Sequence, residues 1–303
     1  MSNENSQKNL SCLTFVLKNK DADNFRTIAD FCVQTPDVNI AHVEVLSPDK
    51  AVDVFIVDAP HNLRERIGKA LTRKKIEADF CLQTPNARRK SLLICDMDST
   101  LIEQECIDEL ADFAGVGAHV ARITERAMRG ETDFESALIE RVSLLKNLPL
   151  SNLQQCFDER IHLNAGARTL CQTMKANGAQ TVIVSGGFTF FTLRIAELVG
   201  FEHHFANTLH DDGKALLGTV GMPILGRDAK KQTLLDFTAG TNSNTALAIG
   251  DGANDLAMIT AAGLGIAYNA KPIVAAAAHC AINHTDLITA LYFQGYKDDE
   301  LVG

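Results

Sequence analysis

A chain of 303 residues with 46% hydrophobic side chains has apolar material for two cores, or one large one, without disulfide or metal staples. A formal charge of -9 at pH 7 excludes a general affinity for nucleic acid, which shows as a basic face. The eight cysteines (Cys12, Cys32, Cys81, Cys95, Cys106, Cys156, Cys171 and Cys280) form no C-x-x-C pair and read as reduced, mostly buried thiols. The N-terminus, MSNENSQKN, lacks a basic segment followed by an apolar core, and no run approaches ~18 apolar residues. The expectation is a cytoplasmic protein with no membrane partner.

In chain order, LSCLTFVL reads as a strand, NFRTIADFCVQ as a helix, and NIAHVEVLS and AVDVFIVD as strands. A helical HNLRERIGKALTRK and a last strand, IEADFCLQ, complete a β-α-β-β-α-β order, which predicts a small ferredoxin-like α+β domain over residues 1–85. The segment TPNARRKS, with a proline and three consecutive basic residues, reads as a linker.

From residue 86 to 303 the pattern changes to short continuous apolar runs that end in polar or glycine-rich turns. These are SLLIC before DMDST, TVIVS before GGF, and TALAIG before DGAND. Runs that do not alternate suit parallel strands buried on both faces, so this part is predicted to be an α/β domain with a doubly wound parallel sheet. Ligands of such sheets sit beyond the carboxyl ends of the strands, where all three polar clusters fall. Residues 104–163 are helical in character with no strand signal, and are expected to form a helical cap inserted over the site.

Asp96 and Asp98 flank one residue in DMDST; in strand geometry both project to the same side, suited to a hard divalent cation or to a nucleophile with an acid/base partner. Taken alone, the pair serves equally well to cap the next helix. Asp251, Asn254 and Asp255 follow the strand ALAI on a glycine-bearing turn and can complete a magnesium site, although G-D-G is also a common turn. Ser185, Gly186 and Gly187 put a hydroxyl and unhindered backbone N–H groups before a helix, an arrangement that binds anions. Lys230 and Lys231 open a helix, and spacing does not choose between them. Three strand-end clusters with two carboxylates, an anion nest, a lysine and an acidic loop together specify phosphoryl transfer. The adjacent His203 and His204 would face opposite ways in a strand and read as surface histidines.

These residues carry a resemblance. D-M-D-S-T, S-G-G-F, the lysine and G-D-G-A-N-D are similar, in order and spacing, to the four motifs of the haloacid dehalogenase-like superfamily; the segment AMRGETDFESALIERVSLLKNLP resembles its phosphoserine phosphatase branch. The resemblance implies that Asp96 becomes an aspartyl phosphate while Asp98 protonates the departing oxygen and then activates water. It implies Mg2+ held by Asp96, Asp251 and the backbone carbonyl of Asp98, with Asp255 in support. Ser185, Gly186 and Lys230 would grip the phosphoryl group, with Asn254 nearby, Lys230 being favoured over Lys231 by alignment. In the cap, Glu105 would meet the ammonium of phosphoserine and Arg141 its carboxylate, while Met128 and Phe134 close over it. The implied reaction is hydrolysis of O-phospho-L-serine, the last step of serine biosynthesis.

Arg141 is flagged independently. Phe134, Leu138, Arg141 and Leu145 fall at spacings of four, three and four, so a guanidinium sits on an apolar helix face, where a bidentate carboxylate would account for it. The first domain resembles the ACT-like amino-acid-sensing modules. Its first turn, KNKDADN, has no glycine, and a homodimer contact or a purely structural role suits it at least as well as serine sensing. The rival readings are a relative acting on another small phosphomonoester, or passing the phosphoryl group to another alcohol, and a regulatory protein that binds phosphoserine without turnover.

Overall fold

The computed structural model describes residues 9–303 apart from 36, 130, 240 and 241, with no side chain described at 29 or 31–34. Cys32 and residues 1–8 of the N-terminal segment read above for a targeting signal lie outside the described side chains. The seven described cysteines are buried and unpaired. Among the described residues no helix is long and apolar enough to cross a membrane.

Residues 10–83 follow the expected order: β1 (Leu10–Leu17), α1 (Ala22–Gln34), β2 (Asn39–Ser47), β3 (Ala51–Val57), α2 (Leu63–Lys74) and β4 (Ala78–Gln83). The strands form an antiparallel sheet in the order β2-β3-β1-β4, the ferredoxin-like arrangement. The inner strands β1 and β3 are buried almost throughout because the sheet is covered on both faces. Leu13, Phe15, Val52, Val54 and Ile56 pack on Ile28 of α1 and Ile67 and Leu71 of α2. Val16, Leu46, Ala51 and Cys81 instead join a core shared with the rest of the molecule.

Residues 84–91, expected to be a plain linker, anchor that junction. Arg88 is only 9% exposed and pairs with Asp53, itself 1% exposed, at 2.6 Å; it also donates to Thr14 and to the carbonyls of Tyr292 and Phe293. Asp79 of β4 accepts the backbone N–H groups of Asn283, His284 and Thr285 at 2.9–3.1 Å. Nothing in the sequence pairs these charges, because their partners lie 35 and 204 or more residues away.

The second domain holds a six-stranded parallel sheet in the order β12-β11-β10-β5-β6-β7. Its strands are β5 (Leu92–Cys95), β6 (Gln180–Phe188), β7 (His203–Asn207), β10 (Ala246–Gly250), β11 (Leu264–Tyr268) and β12 (Cys280–Ile282). Alternation along β5 divides two cores. Leu93 and Cys95 face one with Ile183, Leu247 and Ile249, while Leu92 and Ile94 face the other with Val182, Val184, Ala246 and Ala248. Each of these β5 side chains contributes on the order of 2 kcal/mol by burial. Because β6 and β10 flank β5 on opposite sides, a crevice opens at their carboxyl ends.

Between β5 and β6 lie α3 (Cys106–Phe113), α4 (Gly117–Met128), α5 (Phe134–Ser143) and α6 (Leu150–Arg160), followed by α7 (Ala167–Ala176). The chain leaves and re-enters side by side, stitched by an isolated bridge between Ile102 and Leu163. A hairpin without counterpart in the sequence reading, β8 (Leu209–Asp211) and β9 (Leu216–Val220), supports these helices. Leu216 exchanges backbone bonds with Asn147 and Leu148 in the loop between α5 and α6. The remaining helices are α8 (Thr189–Val199), α9 (Arg227–Phe237), α10 (Leu256–Ala261), α11 (Pro272–Ala277) and α12 (Thr289–Phe293).

Candidate active site

Asp96 emerges directly from β5, 4% exposed, into the crevice. Its Oδ1 accepts the N–H of Met97 at 2.7 Å and its Oδ2 lies 2.7 Å from Lys230 Nζ. Lys230, on the second turn of α9, is completely buried and donates at the same distance to Asp255 Oδ1. The other oxygen of Asp255 accepts the N–H groups of Asp251 and Gly252 at 3.2 and 3.0 Å, so this carboxylate shapes the acidic loop that follows β10. Gly250 is required there, since a Cβ would overlap Asp255. Lys231 is exposed, so the fold selects between the two lysines as alignment did.

One lysine does not balance the carboxylates. Asp96, Asp251 and Asp255 each offer an oxygen within 4.8 Å of the others. Burial, and then the charge of Asp255, pushes Asp96 well above the ordinary range and Asp251 up to about 7. Burial alone would lower Lys230, but Asp255 and Asp96 outweigh it and hold the ammonium charged. Surplus buried negative charge on hard oxygen donors fits a divalent cation. Asp255 is completely buried and divided between Lys230 and the N–H groups of the acidic loop, whereas Asp251 is only partly buried with a single long contact, to the Thr100 hydroxyl at 3.4 Å, and Asp96 opens on the crevice; a cation there would draw on Asp96 and Asp251.

Asp98 follows Asp96 by two residues, beyond the end of the strand. The strand ends at Cys95, Ser99 takes a left-handed φ of 55°, and the turn gives Asp98 its own partners. Its Oδ1 accepts the N–H of Cys106 at 3.3 Å, at the start of α3. Burial, followed by the nearby charge of Glu105, pushes Asp98 up to about 7. That value suits a group that must both give and take a proton near neutrality. Gly187 lies against it, with no room for a Cβ.

Ser185 is fully buried at the end of the regular part of β6, and its Oγ accepts the Gly187 N–H at 2.9 Å. Its own proton is thereby left to donate towards the crevice. Asn254 folds over Gly252, with its side-chain oxygen where a Cβ would stand.

The cap residues divide. Glu105, the residue before α3, is exposed and accepts the Ser99 hydroxyl at 2.7 Å. Arg141 of α5 is partly buried; its contacts to the Ala137 carbonyl and Thr124 hydroxyl are long, 3.3 and 3.4 Å, and among the described residues it has no carboxylate within salt-bridge distance. Burial lowers its pKa against the opposing charges of Asp108 and Glu105. Phe134, the first residue of α5, lies on the core: a Cβ at Gly186 would stand 3.1 Å from its ring and one at Gly226 3.4 Å. Met128 remains 66% exposed, its Sδ 3.6 Å from Lys271 Nζ. His203 is exposed against Phe237, and His204 bonds the Thr192 hydroxyl, consistent with their facing opposite ways.

Sequence reasoning missed Ser99, which holds Glu105, and Asn207, which is bonded to Gly186 and Leu225. Ser99 carried a signal inside D-x-D-S-T; Asn207 carried none, its partner Leu225 being 18 residues on.

A fully buried lysine between a strand-end carboxylate and one at the start of α10, further acids nearby and a helical lid define an α/β phosphoryl-transfer hydrolase. The profile of the family "haloacid dehalogenase-like hydrolase" matches residues 93–260. The phosphoserine phosphatase of Archaeoglobus fulgidus is 40% identical over 240 residues, 77% of this chain and 70% of that one. That of Saccharomyces cerevisiae is 37% identical over 274 residues, 88% of each. The crystal structure of a probable phosphoserine phosphatase from Vibrio cholerae superposes with a TM-score of 0.75 at 32% identity, covering 94% of this chain and 86% of that one. The chain belongs to the haloacid dehalogenase-like hydrolases and, within them, to the phosphoserine phosphatases.

Proposed function

We propose that the protein hydrolyses O-phospho-L-serine to L-serine and phosphate. The observation that carries the reading is Arg141, a partly buried guanidinium without a carboxylate partner among the described residues, placed with Glu105 on the lid of a phosphoryl-transfer site. A guanidinium takes a carboxylate in bidentate fashion, and Glu105 suits an ammonium, so an amino acid satisfies both at once. The relatives by sequence are phosphoserine phosphatases, and the relative by structure is a probable one.

In this reading an Asp96 oxygen attacks phosphorus and the bond to the serine oxygen breaks, with the Asp98 carboxyl supplying the proton that serine takes away. The resulting Asp98 carboxylate accepts a proton from water as that water attacks the phosphorus of aspartyl phosphate. The Asp96–phosphorus bond breaks, and phosphate and free Asp96 result. Lys230 and the Ser185 hydroxyl stabilise the phosphoryl oxygens. Asp96 and Asp251, with the Asp98 carbonyl, would hold Mg2+, which when bound supplies positive charge against the phosphoryl oxygens. Residues 1–85 are proposed as an ACT-like unit joined to a phosphatase unit over 86–303, with the protein acting in the cytoplasm and a homodimer as its assembly.

The test is phosphate release from L-phosphoserine, phosphothreonine, phosphoglycolate and a sugar phosphate, with magnesium and with chelator. Magnesium-dependent preference for phosphoserine, lost in a folded Asp96→Asn variant, is the expected result. Even activity across the panel would discard Glu105 and Arg141 as an amino-acid clamp, and full activity of Asp96→Asn would remove the covalent route.

A further inference from the structure

The parallel ladder between β6 and β7 runs in register from Val182 opposite His203 to Val184 opposite Phe205, then breaks. It resumes with Phe188 opposite Asn207, so four steps along β6 match two along β7. The surplus residues are in the segment Ser185-Gly186-Gly187, and the phosphate loop is therefore a bulge in the sheet, whose backbone groups have lost their ladder partners. Asn207 replaces one of them with its side chain. It is 3% exposed, and its Nδ2 donates to the Gly186 carbonyl at 2.9 Å.

The Gly186 carbonyl and the Gly187 N–H belong to one rigid peptide unit. Asn207 holds its oxygen end, while its N–H end donates to Ser185 Oγ at 2.9 Å. A hydroxyl that accepts there has its own proton to direct elsewhere. The sequence of donors runs from Asn207 through the peptide to the Ser185 hydroxyl and on to a ligand oxygen, each bond polarising the next. The same amide also pairs with residue 225 as a ladder neighbour would: Leu225 N–H donates to Oδ1 at 2.7 Å and Nδ2 donates to the Leu225 carbonyl at 3.3 Å. Leu225 precedes Gly226, which caps α9, the helix that carries Lys230.

We infer that Asn207 is a positioning residue of the phosphoryl site: through one peptide unit it sets the direction in which Ser185 donates, and through Leu225 it fixes the distance between that donor and Lys230. The inference rests on the phosphate-binding reading of Ser185, and its ligand is the phosphoryl group common to any phosphomonoester. Aspartate at this position keeps the shape and the acceptor for Leu225 but loses both donors, setting a carboxyl against two carbonyls. Alanine removes all three contacts.

The test is a double-mutant cycle on Asn207 and Ser185, reading inhibition and thermal protection by inorganic phosphate in the presence of magnesium. Assays are made well below the melting temperature of each variant. Asn207→Ala and Asn207→Asp should each weaken phosphate about tenfold or more in the otherwise native chain. In a Ser185→Ala background Asn207→Asp, which keeps the acceptor for the Leu225 N–H, should weaken it little further, because the hydroxyl it acts through is gone. Additive losses would show that Asn207 only supports the fold and would overturn the inference, as would unchanged phosphate affinity in both single variants. A parent protein that binds no phosphate would also overturn it. A parent that binds phosphate but ignores phosphoserine would sink only the substrate assignment and leave the cycle valid.

Discussion

A lysine without solvent contact is sustained only by charge of the other sign, and Lys230 has two such partners at 2.7 Å, Asp96 and Asp255. Arg141 stands in the opposite condition, with long contacts to neutral oxygens and the nearest charges too far to pair. Arg141→Ala should raise KM for phosphoserine about tenfold to a hundredfold, as expected for a lost charge-assisted bond, with thermal stability nearly unchanged. A phosphomonoester lacking the carboxylate should be hydrolysed as before; equal losses on both would remove the assigned role. Arg141 was legible from its helix face, and the aspartates from their strand ends. The bond from the Cys106 N–H to Asp98 was not, because the turn leading to it includes a left-handed Ser99, and nothing in the residue type announces that turn.

The element that brings lid and core together is the start of α5. Asp133 caps it by accepting the Ser136 N–H at 2.9 Å, which aims the next residue, Phe134, at two backbone segments bare of side chains. One belongs to the phosphate loop and the other to the approach to α9. Gly186→Ala should displace the ring by a few tenths of an ångström, raising KM for phosphoserine severalfold at little cost to the melting temperature. Phe134→Leu in the same chain should recover part of the loss; no recovery would place the effect in the loop itself. The glycines could be read in sequence as anion binders, whereas their second use as a seat for an aromatic ring involves a contact across some 52 residues. The hairpin β8–β9 escaped for a similar reason: it is short, and its stabilising bonds run to the loop between α5 and α6.

At the scale of the whole molecule, the two domains visible in sequence share a core and a buried polar junction. Arg88→Ala strands Asp53 inside that junction with only neutral side-chain partners, the Thr14 hydroxyl and the Cys12 thiol, and should cost about 3–5 kcal/mol in urea unfolding, with activity per folded molecule unchanged. Replacing both charges with apolar side chains of similar volume should restore much of that stability. A loss of activity without loss of stability would mean that the junction communicates with the active site.

The junction also lies where the catalytic sheet stops. β12 is three residues long and is the last strand on its side, and β4 packs beside it, with Asp79 occupying the N–H groups just beyond it. An open strand edge next to an apolar face is a template for unwanted pairing with other chains. The N-terminal sheet therefore acts as a guard as well as a neighbour: whatever else it binds, its presence keeps the rim of the phosphatase sheet from recruiting a second one.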